Sequence, residues 1–379
     1  MRRIYFDYAS TTPTDTEVVK AIQPFFYEKF GNASSPHTFG REAQAALEGA
    51  RETLGRFIGA NADEIVFTSG ATESNNHAIF GLARSLKDRG NHIVVSGIEH
   101  HSVLEPVALL KKEGFAVTYL SVDHTGVVDP SQIKSALTNK TIFIAVMHAS
   151  NEIGAIQPIA EIGKIVRASN IPFLVDGVQT VGHVPVNVDE LGADFLSLSA
   201  HKFYGPKGIG ALYIRRKTKV SSFLLGGDQE RERRASTQNV AGCVGLARAV
   251  ELCEKQMDAE TKIQTAFRDQ LLTEIPKRID GVIINGHLKN RLPNNAHFSF
   301  EKIEGESLLM SLDMEGIAAS MGSACTSGAM EPSHVLRAIG LPDELAYGSL
   351  RLTTGRWTRQ EDIDYLLDQL PKIIKRLRS

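Results

Sequence analysis

Short apolar runs alternate with amphipathic stretches over the first two thirds of the chain. Runs at 65–68, 93–96, 116–120, 142–147, 172–176, 194–198 and 210–214 are rich in Val, Ile, Leu and Phe and predict strands. Between most of them, residues 40–58, 75–89, 102–113 and 157–169 carry apolar side chains at helical spacing. Such alternation predicts an α/β domain with a large, mainly parallel sheet covered on both faces. From about residue 241 the rhythm changes. A helical pattern at 241–275 leads into short strands near 282–285, 295–300, 316–319 and 349–353, with helices at 304–312, 333–339 and 358–377. We therefore expect a large domain over 13–255 and a smaller α+β domain over 256–379, with 1–12 packing against the smaller one. No internal repeat, low-complexity tract or Pro/Ser-rich linker marks the boundary.

Charge narrows the classes of partner. The 379 residues hold 42 Lys and Arg against 44 Asp and Glu, a formal net charge of −2, which gives no general attraction to nucleic acid or an anionic membrane. Apolar runs stay short of the ~18 residues that a membrane span requires, and Met1-Arg2-Arg3-Ile4-Tyr5-Phe6-Asp7 has no sustained apolar stretch. A cytoplasmic location is expected. Three cysteines, Cys243, Cys253 and Cys325, show neither an even count nor CxxC spacing, so neither a disulfide framework nor a metal site is expected.

Two strand ends carry the chemistry. Leu174-Val175-Asp176-Gly177-Val178-Gln179 ends one apolar run, and Phe195-Leu196-Ser197-Leu198-Ser199-Ala200-His201-Lys202 ends another. Ligands of parallel sheets bind beyond the carboxyl ends of the strands, so an acid and an amine are expected in one crevice. Pyridoxal 5'-phosphate needs such a pair: the lysine forms its covalent link, and the aspartate keeps the ring nitrogen protonated. Thr68-Ser69-Gly70-Ala71-Thr72-Glu73-Ser74 follows a strand and opens a helix, where free N–H groups and the helix dipole favour a phosphate; a simple helix cap by Thr72 or Ser69 is the equal alternative. Ser199 and His201 are further phosphate candidates. His100 and His101 follow the run Ile93-Val94-Val95-Ser96, where an imidazole can stack on a planar cofactor and move protons, or be structural. Asn151 in Asn151-Glu152-Ile153-Gly154 offers an amide to the same crevice, with a plain turn as the alternative. Gly205-Pro206-Lys207-Gly208-Ile209-Gly210 is no P-loop, because no Ser or Thr follows a Gly-Lys pair and a strand comes after it.

Cys325 sits among small residues in Ser320-Met321-Gly322-Ser323-Ala324-Cys325-Thr326-Ser327-Gly328-Ala329, the setting of a thiol able to attack or of an idle loop thiol. Cys243 and Cys253 lie among Ala, Val and Leu at helical spacing and read as core packing. Arg351, in Ser349-Leu350-Arg351-Leu352, can pair bidentately with a substrate carboxylate or make an ordinary ion pair.

Taken together, the chain resembles the cysteine desulfurases of the class V aminotransferase-like pyridoxal phosphate enzymes. The resemblance runs from Asp7-Tyr8-Ala9-Ser10-Thr11-Thr12-Pro13 through Phe67-Thr68-Ser69-Gly70-Ala71-Thr72-Glu73, Met147-His148-Ala149-Ser150-Asn151-Glu152-Ile153-Gly154 and Ala200-His201-Lys202-Phe203-Tyr204-Gly205-Pro206-Lys207-Gly208 to Gly322-Ser323-Ala324-Cys325-Thr326-Ser327. The segment around Cys325 is similar to that of the group I enzymes. The resemblance implies the fold type I of pyridoxal-phosphate-dependent transferases and a role for each matching residue. Lys202 matches the Schiff-base lysine, Asp176 the partner of the pyridine nitrogen, Gln179 the donor to the ring hydroxyl and His100 the stacking imidazole. Gly70, Ala71, Thr72, Ser199 and His201 match the phosphate site. Thr237 matches a threonine that reaches the phosphate of a neighbouring subunit, which implies a homodimer. Asn151 and Arg351 match the groups that hold the substrate carboxylate, and Cys325 matches the sulfur acceptor.

The implied reaction converts L-cysteine to L-alanine with a persulfide on Cys325, Lys202 as base at Cα and His100 as acid/base for the thiol protons. The sulfur then goes to an acceptor protein, an iron–sulfur scaffold or a tRNA-thiolating enzyme. Selenocysteine lyase, ordinary aminotransferase and non-enzymatic scaffold are the alternatives. Three positions depart from the family pattern: Ala33 after Gly31-Asn32, Ser236 for a glycine before Thr237, and Met321 for a serine ahead of the cysteine. Glycine at 236 would suit an unusual backbone angle, and Met321 is expected to alter the mobility of the Cys325 loop.

Overall fold

Seven of the apolar runs pair into one sheet. The computed structural model describes residues 3–321 and 332–379. After a short first strand, β1 (Ile4–Tyr5), come β2 (Ile65–Thr68), β3 (His92–Ser96), β4 (Ala116–Leu120), β5 (Thr141–Ala145), β6 (Phe173–Asp176), β7 (Phe195–Ser199) and β8 (Gly210–Ile214). The last seven form a sheet in the order β2-β8-β7-β6-β5-β3-β4. β8 runs antiparallel to β2 and β7, and the remaining neighbours are parallel.

The central strands read as continuous apolar runs because helices cover both faces. Successive side chains point to opposite faces: Val94, Ile144 and Val175 enter one core, and Ile93, Val95, Phe143, Ala145 and Leu174 enter the other. Each such side chain contributes roughly 1.5–3 kcal/mol on full burial. β4 departs from the expected burial, since Ala116 and Tyr119 are exposed. It is an edge strand that pairs with β3 alone, so one side of it borders solvent.

A smaller body follows, with β9 (Val282–Ile284), β10 (Asn295–Phe300), β11 (Ile317–Ala318) and β12 (Ser349–Thr353). β10 is antiparallel to both β9 and β12, while β11 pairs in parallel with β1. The amino-terminal segment is spliced between β11 and β12: Phe6 N–H donates to Ala318 O, and Thr353 N–H donates to Phe6 O, each at 2.8 Å. Ile4 and Phe6 are buried in the same core as Phe298, Leu350 and Leu352.

The helix Val240–Arg278 runs through residue 255 without interruption. Its first half buries Cys243, Leu246, Val250 and Cys253 in the core beside the seven-stranded sheet, and its second half buries Phe267, Leu271 and Ile275 in the core around β10 and β12. Both cysteines are packing residues, and burial pushes the Cys253 thiol up to about 12. Among the described residues no helix is long and apolar enough to cross a membrane.

Four residues between 228 and 238 have left-handed backbone. Glu230, Arg231 and Glu232 have φ of 47°, 58° and 63°, a left-handed run that costs side-chain-bearing residues roughly 1–2 kcal/mol each. The run is held by a buried bidentate pair, with Arg51 Nη1 and Nη2 donating to Glu230 at 2.7 and 2.9 Å, and by Phe67 N–H donating to the same carboxylate at 2.9 Å. Ser236, which stands where the family pattern has glycine, has φ 93°. That angle supplies the reason for glycine expected from the sequence. Ser236→Gly is accordingly predicted to stabilise the protein by about 1 kcal/mol, read as a higher urea midpoint at unchanged slope. An unchanged or lower midpoint would show that the turn carries no strain at Ser236.

Candidate active site

The carboxyl ends of β2, β3, β5, β6 and β7 lie along one edge of the sheet, and the segments that follow them enclose a cleft of about 640 Å³. Lys202 enters it from the 3-10 turn Ala200–Lys202 directly after β7. Its Nζ donates to Ala9 O at 2.6 Å and to Ser10 O at 2.8 Å. Burial lowers its pKa to about 8, the positive charge of Arg351 pushes the same way, and Asp7 and Asp176 oppose them. Asp176 ends β6. Its Oδ1 accepts from Val178 N–H at 3.0 Å and its Oδ2 from Asn75 Nδ2 at 2.8 Å. Gln179 donates to Ala9 O at 3.1 Å, so one carbonyl of the amino-terminal segment holds both the amide and the amine.

His100 precedes the helix His101–Lys112 and caps it, Nδ1 accepting from Ser102 N–H at 3.1 Å. Burial lowers its pKa, with Asp176 opposing and Lys202 assisting. His101 lines the same cleft and faces Glu105 at 3.6 Å. Gly70, Ala71 and Thr72 line the cleft where helix Ala71–Leu86 begins, and no side chain caps that helix at Gly70. Glu73 instead accepts from Ser69 N–H at 2.8 Å. The loop lies against the start of β8 because Gly210 has no side chain: a Cβ there would stand 2.7 Å from Gly70 Cα. Ser199 and His201 line the same wall, and burial holds His201 neutral with a pKa of about 4. An amine of depressed pKa, a carboxylate one strand away and an uncapped helix start with hydroxyl and imidazole neighbours are the donor set that pyridoxal phosphate requires. The residues fit that group.

Arg351, on β12, forms another part of the wall. Its Nη1 donates to Asn151 O at 2.9 Å, and its Nη2 to Asp7 Oδ1 at 2.8 Å and Ser10 Oγ at 2.7 Å. Asn151 thus meets Arg351 through its backbone. The pairing with Asp7 was not foreseen, because Asp7 and Arg351 are 344 residues apart and neither local pattern points to the other.

Thr237 is exposed and does not line the cleft of its own chain. Cys325 lies outside the described residues. The residues that flank it are held at the cleft. Ser320 accepts from Arg351 N–H at 2.6 Å. Met321 O accepts from His297 Nε2 at 3.3 Å and Ser349 Oγ at 3.1 Å. Beyond the cysteine, Ser333 Oγ donates to Glu152 and His334 Nε2 donates to Glu99 O at 3.0 Å. Met321 is itself buried with its sulfur against Gly305.

Several residues of the site went unforeseen. Glu152 and His334 line the cleft, and Glu99 lies behind it with its carboxyl pushed up by burial to about 8, accepting from Met147 N–H at 2.5 Å. Asn75 and Ser102 join Asp176 to His100. The signal available for Asn75 was a polar residue on the buried face of a helix, three positions after Thr72.

The family model for class-V aminotransferases (Aminotransferase class-V) matches residues 4–366. The chain is 56% identical over 378 residues to a cysteine desulfurase IscS of Dictyoglomus turgidum (strain DSM 6724 / Z-1310), covering 100% of this chain and 96% of that one. It is 48% identical over 378 residues to a cysteine desulfurase IscS of Methanosarcina thermophila, covering 100% and 93%. Among solved structures, a NifS-like protein superposes with a TM-score of 0.93 at 36% identity, covering 99% of this chain and 100% of that one. A structure described as SspA in complex with cysteine gives a TM-score of 0.84 at 34% identity, covering 94% and 100%. With a family match that spans all but the ends of the chain and relatives near half identical along its length, this chain belongs to the class-V aminotransferases, within the pyridoxal-phosphate-dependent cysteine desulfurase group.

Proposed function

We propose that this protein is a cysteine desulfurase that converts L-cysteine to L-alanine and collects the sulfur as a persulfide on Cys325. The observation that carries the proposal is that both flanks of the Cys325 segment are fastened to the walls of the cleft that holds Lys202 and Asp176. Cys325 follows Met321 by four residues, and four extended residues reach no more than about 14 Å. The near-full-length identity to cysteine desulfurases favours this reading over a selenocysteine lyase or an ordinary aminotransferase.

Bound pyridoxal phosphate supplies an electron sink for negative charge developing at the substrate Cα. Lys202 would hold it covalently, Asp176 would face the ring nitrogen, Gln179 the ring hydroxyl, and His100 would stack on it. Gly70, Ala71, Thr72, Ser199 and His201 would hold its phosphate. Arg351 and Asn151 bind the substrate carboxylate and orient the Cα–H bond, with Asp7 and Ser10 keeping the guanidinium in place. Lys202, once released as a neutral amine, takes the Cα proton at Nζ. The Cys325 thiolate attacks the substrate sulfur, so that an S–S bond forms, the C–S bond breaks, and its electron pair stays with the carbon skeleton that leaves as alanine.

The working unit is a homodimer in which Thr237 serves the phosphate of the neighbouring copy. Two features support this: Thr237 is exposed away from its own cleft, and Phe26, Tyr27, Phe30 and Phe39 leave large apolar side chains exposed on one stretch of chain. The protein acts in the cytoplasm and passes its sulfur to a protein acceptor, in iron–sulfur cluster assembly or tRNA thiolation.

Treating the purified protein with L-cysteine should yield alanine and one extra sulfur on the Cys325 peptide by mass spectrometry. In Cys325→Ala both should fall by at least about a hundredfold while the cofactor stays bound, and alanine formation at the wild-type rate would refute the persulfide step. Arg351→Ala should raise KM for L-cysteine roughly ten- to a hundredfold, the loss of hydrogen bonds to a charged group, and lower kcat as well; unchanged kinetics would leave Arg351 a structural partner of Asp7. The pKa of Lys202 gives a pH dependence, because only the neutral amine attacks the cofactor aldehyde. Capture of pyridoxal phosphate by cofactor-free protein, followed by absorbance, should therefore accelerate as pH rises through about 8 rather than through 10.5. In Arg351→Ala the midpoint should move upward, since a positive neighbour has gone; a downward move would contradict the assigned cause.

A further inference from the structure

Asn75 is completely buried on helix Ala71–Leu86, and its side-chain amide serves two neighbours in the cleft wall. Nδ2 reaches Asp176 Oδ2 at 2.8 Å and Ser102 Oγ at 2.9 Å. An ionised carboxylate oxygen can only accept, so the amide must turn its NH₂ toward Asp176, and its second hydrogen then goes to Ser102. Ser102 Oγ is thereby an acceptor, and its own hydrogen is left for His100 Nδ1 at 2.8 Å. The backbone N–H of Ser102 points at the same nitrogen from 3.1 Å. Two donors converge on Nδ1, so that atom carries the lone pair and the proton of the neutral ring sits on Nε2.

We propose that Asn75 and Ser102 are positioning residues that hold His100 as an uncharged ring protonated at Nε2, working from the same carboxylate that is assigned to the cofactor nitrogen. The assignment rests on the reading of this cleft as a pyridoxal phosphate site. It restricts what His100 can do there. The ring lies beside the cofactor without adding a positive charge next to Lys202, and it offers Nε2–H to a sulfur atom. It accepts no proton at Nε2 until it has given one up, and protonation at Nδ1 would set N–H against the N–H of Ser102. The charged and titratable groups around the ring divide: Asp176 favours a charged His100, whereas Lys202, His101 and His334 oppose it.

Deuterium exchange at the imidazole C2 position of the holoenzyme, read by mass spectrometry of the His100 peptide across pH, reports the midpoint of this histidine whether or not the protein desulfurates cysteine. Failure of the functional reading is thus distinguishable from failure of this one. Ser102→Ala removes a donor that favours the neutral ring and should raise the midpoint by about one pH unit. Ser102→Thr retains the hydroxyl and should restore it. Asn75→Ala keeps the Ser102 backbone and hydroxyl but frees the Asp176 oxygen, and should raise the midpoint by a smaller amount; it tests the network if Ser102→Ala does not fold. The acid limb of the kcat–pH profile should move with the midpoint in each variant. A midpoint unchanged in both alanine variants, or a Ser102→Thr protein that behaves like Ser102→Ala, would overturn the proposal.

Discussion

The parallel pairing of β6 with β7 is the constraint on which the site depends. Its register sets Asp176 opposite Ser197, so β7 continues two residues further before the 3-10 turn brings Lys202 over the strand ends. A shift of one residue would turn Asp176 to the other face of the sheet, because side-chain direction alternates along a strand. That register is enforced from both faces by the apolar side chains of Leu174, Val175, Phe195 and Leu196. The acid and the amine therefore meet through the hydrogen bonds of a buried sheet, and no loop has to find the geometry.

Burial that makes the register rigid also sets the charge state of the cleft. Lys202 is lowered to about 8, and His148 and His201 to about 4, in each case first by loss of water. Burial raises Glu99 to about 8 and raises Glu152 as well. Each of these groups is thus shifted toward its neutral form, while Arg351 keeps an ion partner in Asp7. Such a site is suited to proton transfer between near-matched groups, and a charged cofactor entering it meets little competing charge.

The strands were legible in the sequence because burial on both faces leaves them almost wholly apolar, and β4 misled only in its burial because edge position is a property of the whole sheet. The helix begins at Ala71, four residues before the apolar spacing at 75–89 predicts, since Thr72, Glu73 and Ser74 are polar. Lys202 and Asp176 were legible because their strands end in sequence where they end in space. Asp7, Ser102 and Glu152 were not, because each acquires its role from a partner on a distant element. The burial of Met321 against Gly305 is likewise a property of the fold that a single local sequence does not reveal. The angle at Ser236 was legible through the family pattern alone.

The splice of the amino-terminal segment against β12 has a consequence for the order of assembly during synthesis. Ala9 and Ser10 hold Lys202, yet Ala9 N–H donates to Thr353 Oγ1 at 3.0 Å across 344 residues of sequence. Residues 9 and 10 therefore wait for residue 353, made 344 positions later, before they settle. Contacts of such long range form late, since the intervening chain must be ordered before closure is rewarded. The large sheet can fold earlier and carry Lys202 and Asp176 in register, but its cleft lacks a wall until β12 arrives. A nascent chain thus completes the cleft that fits its cofactor only when the segment that carries Cys325 has already been made.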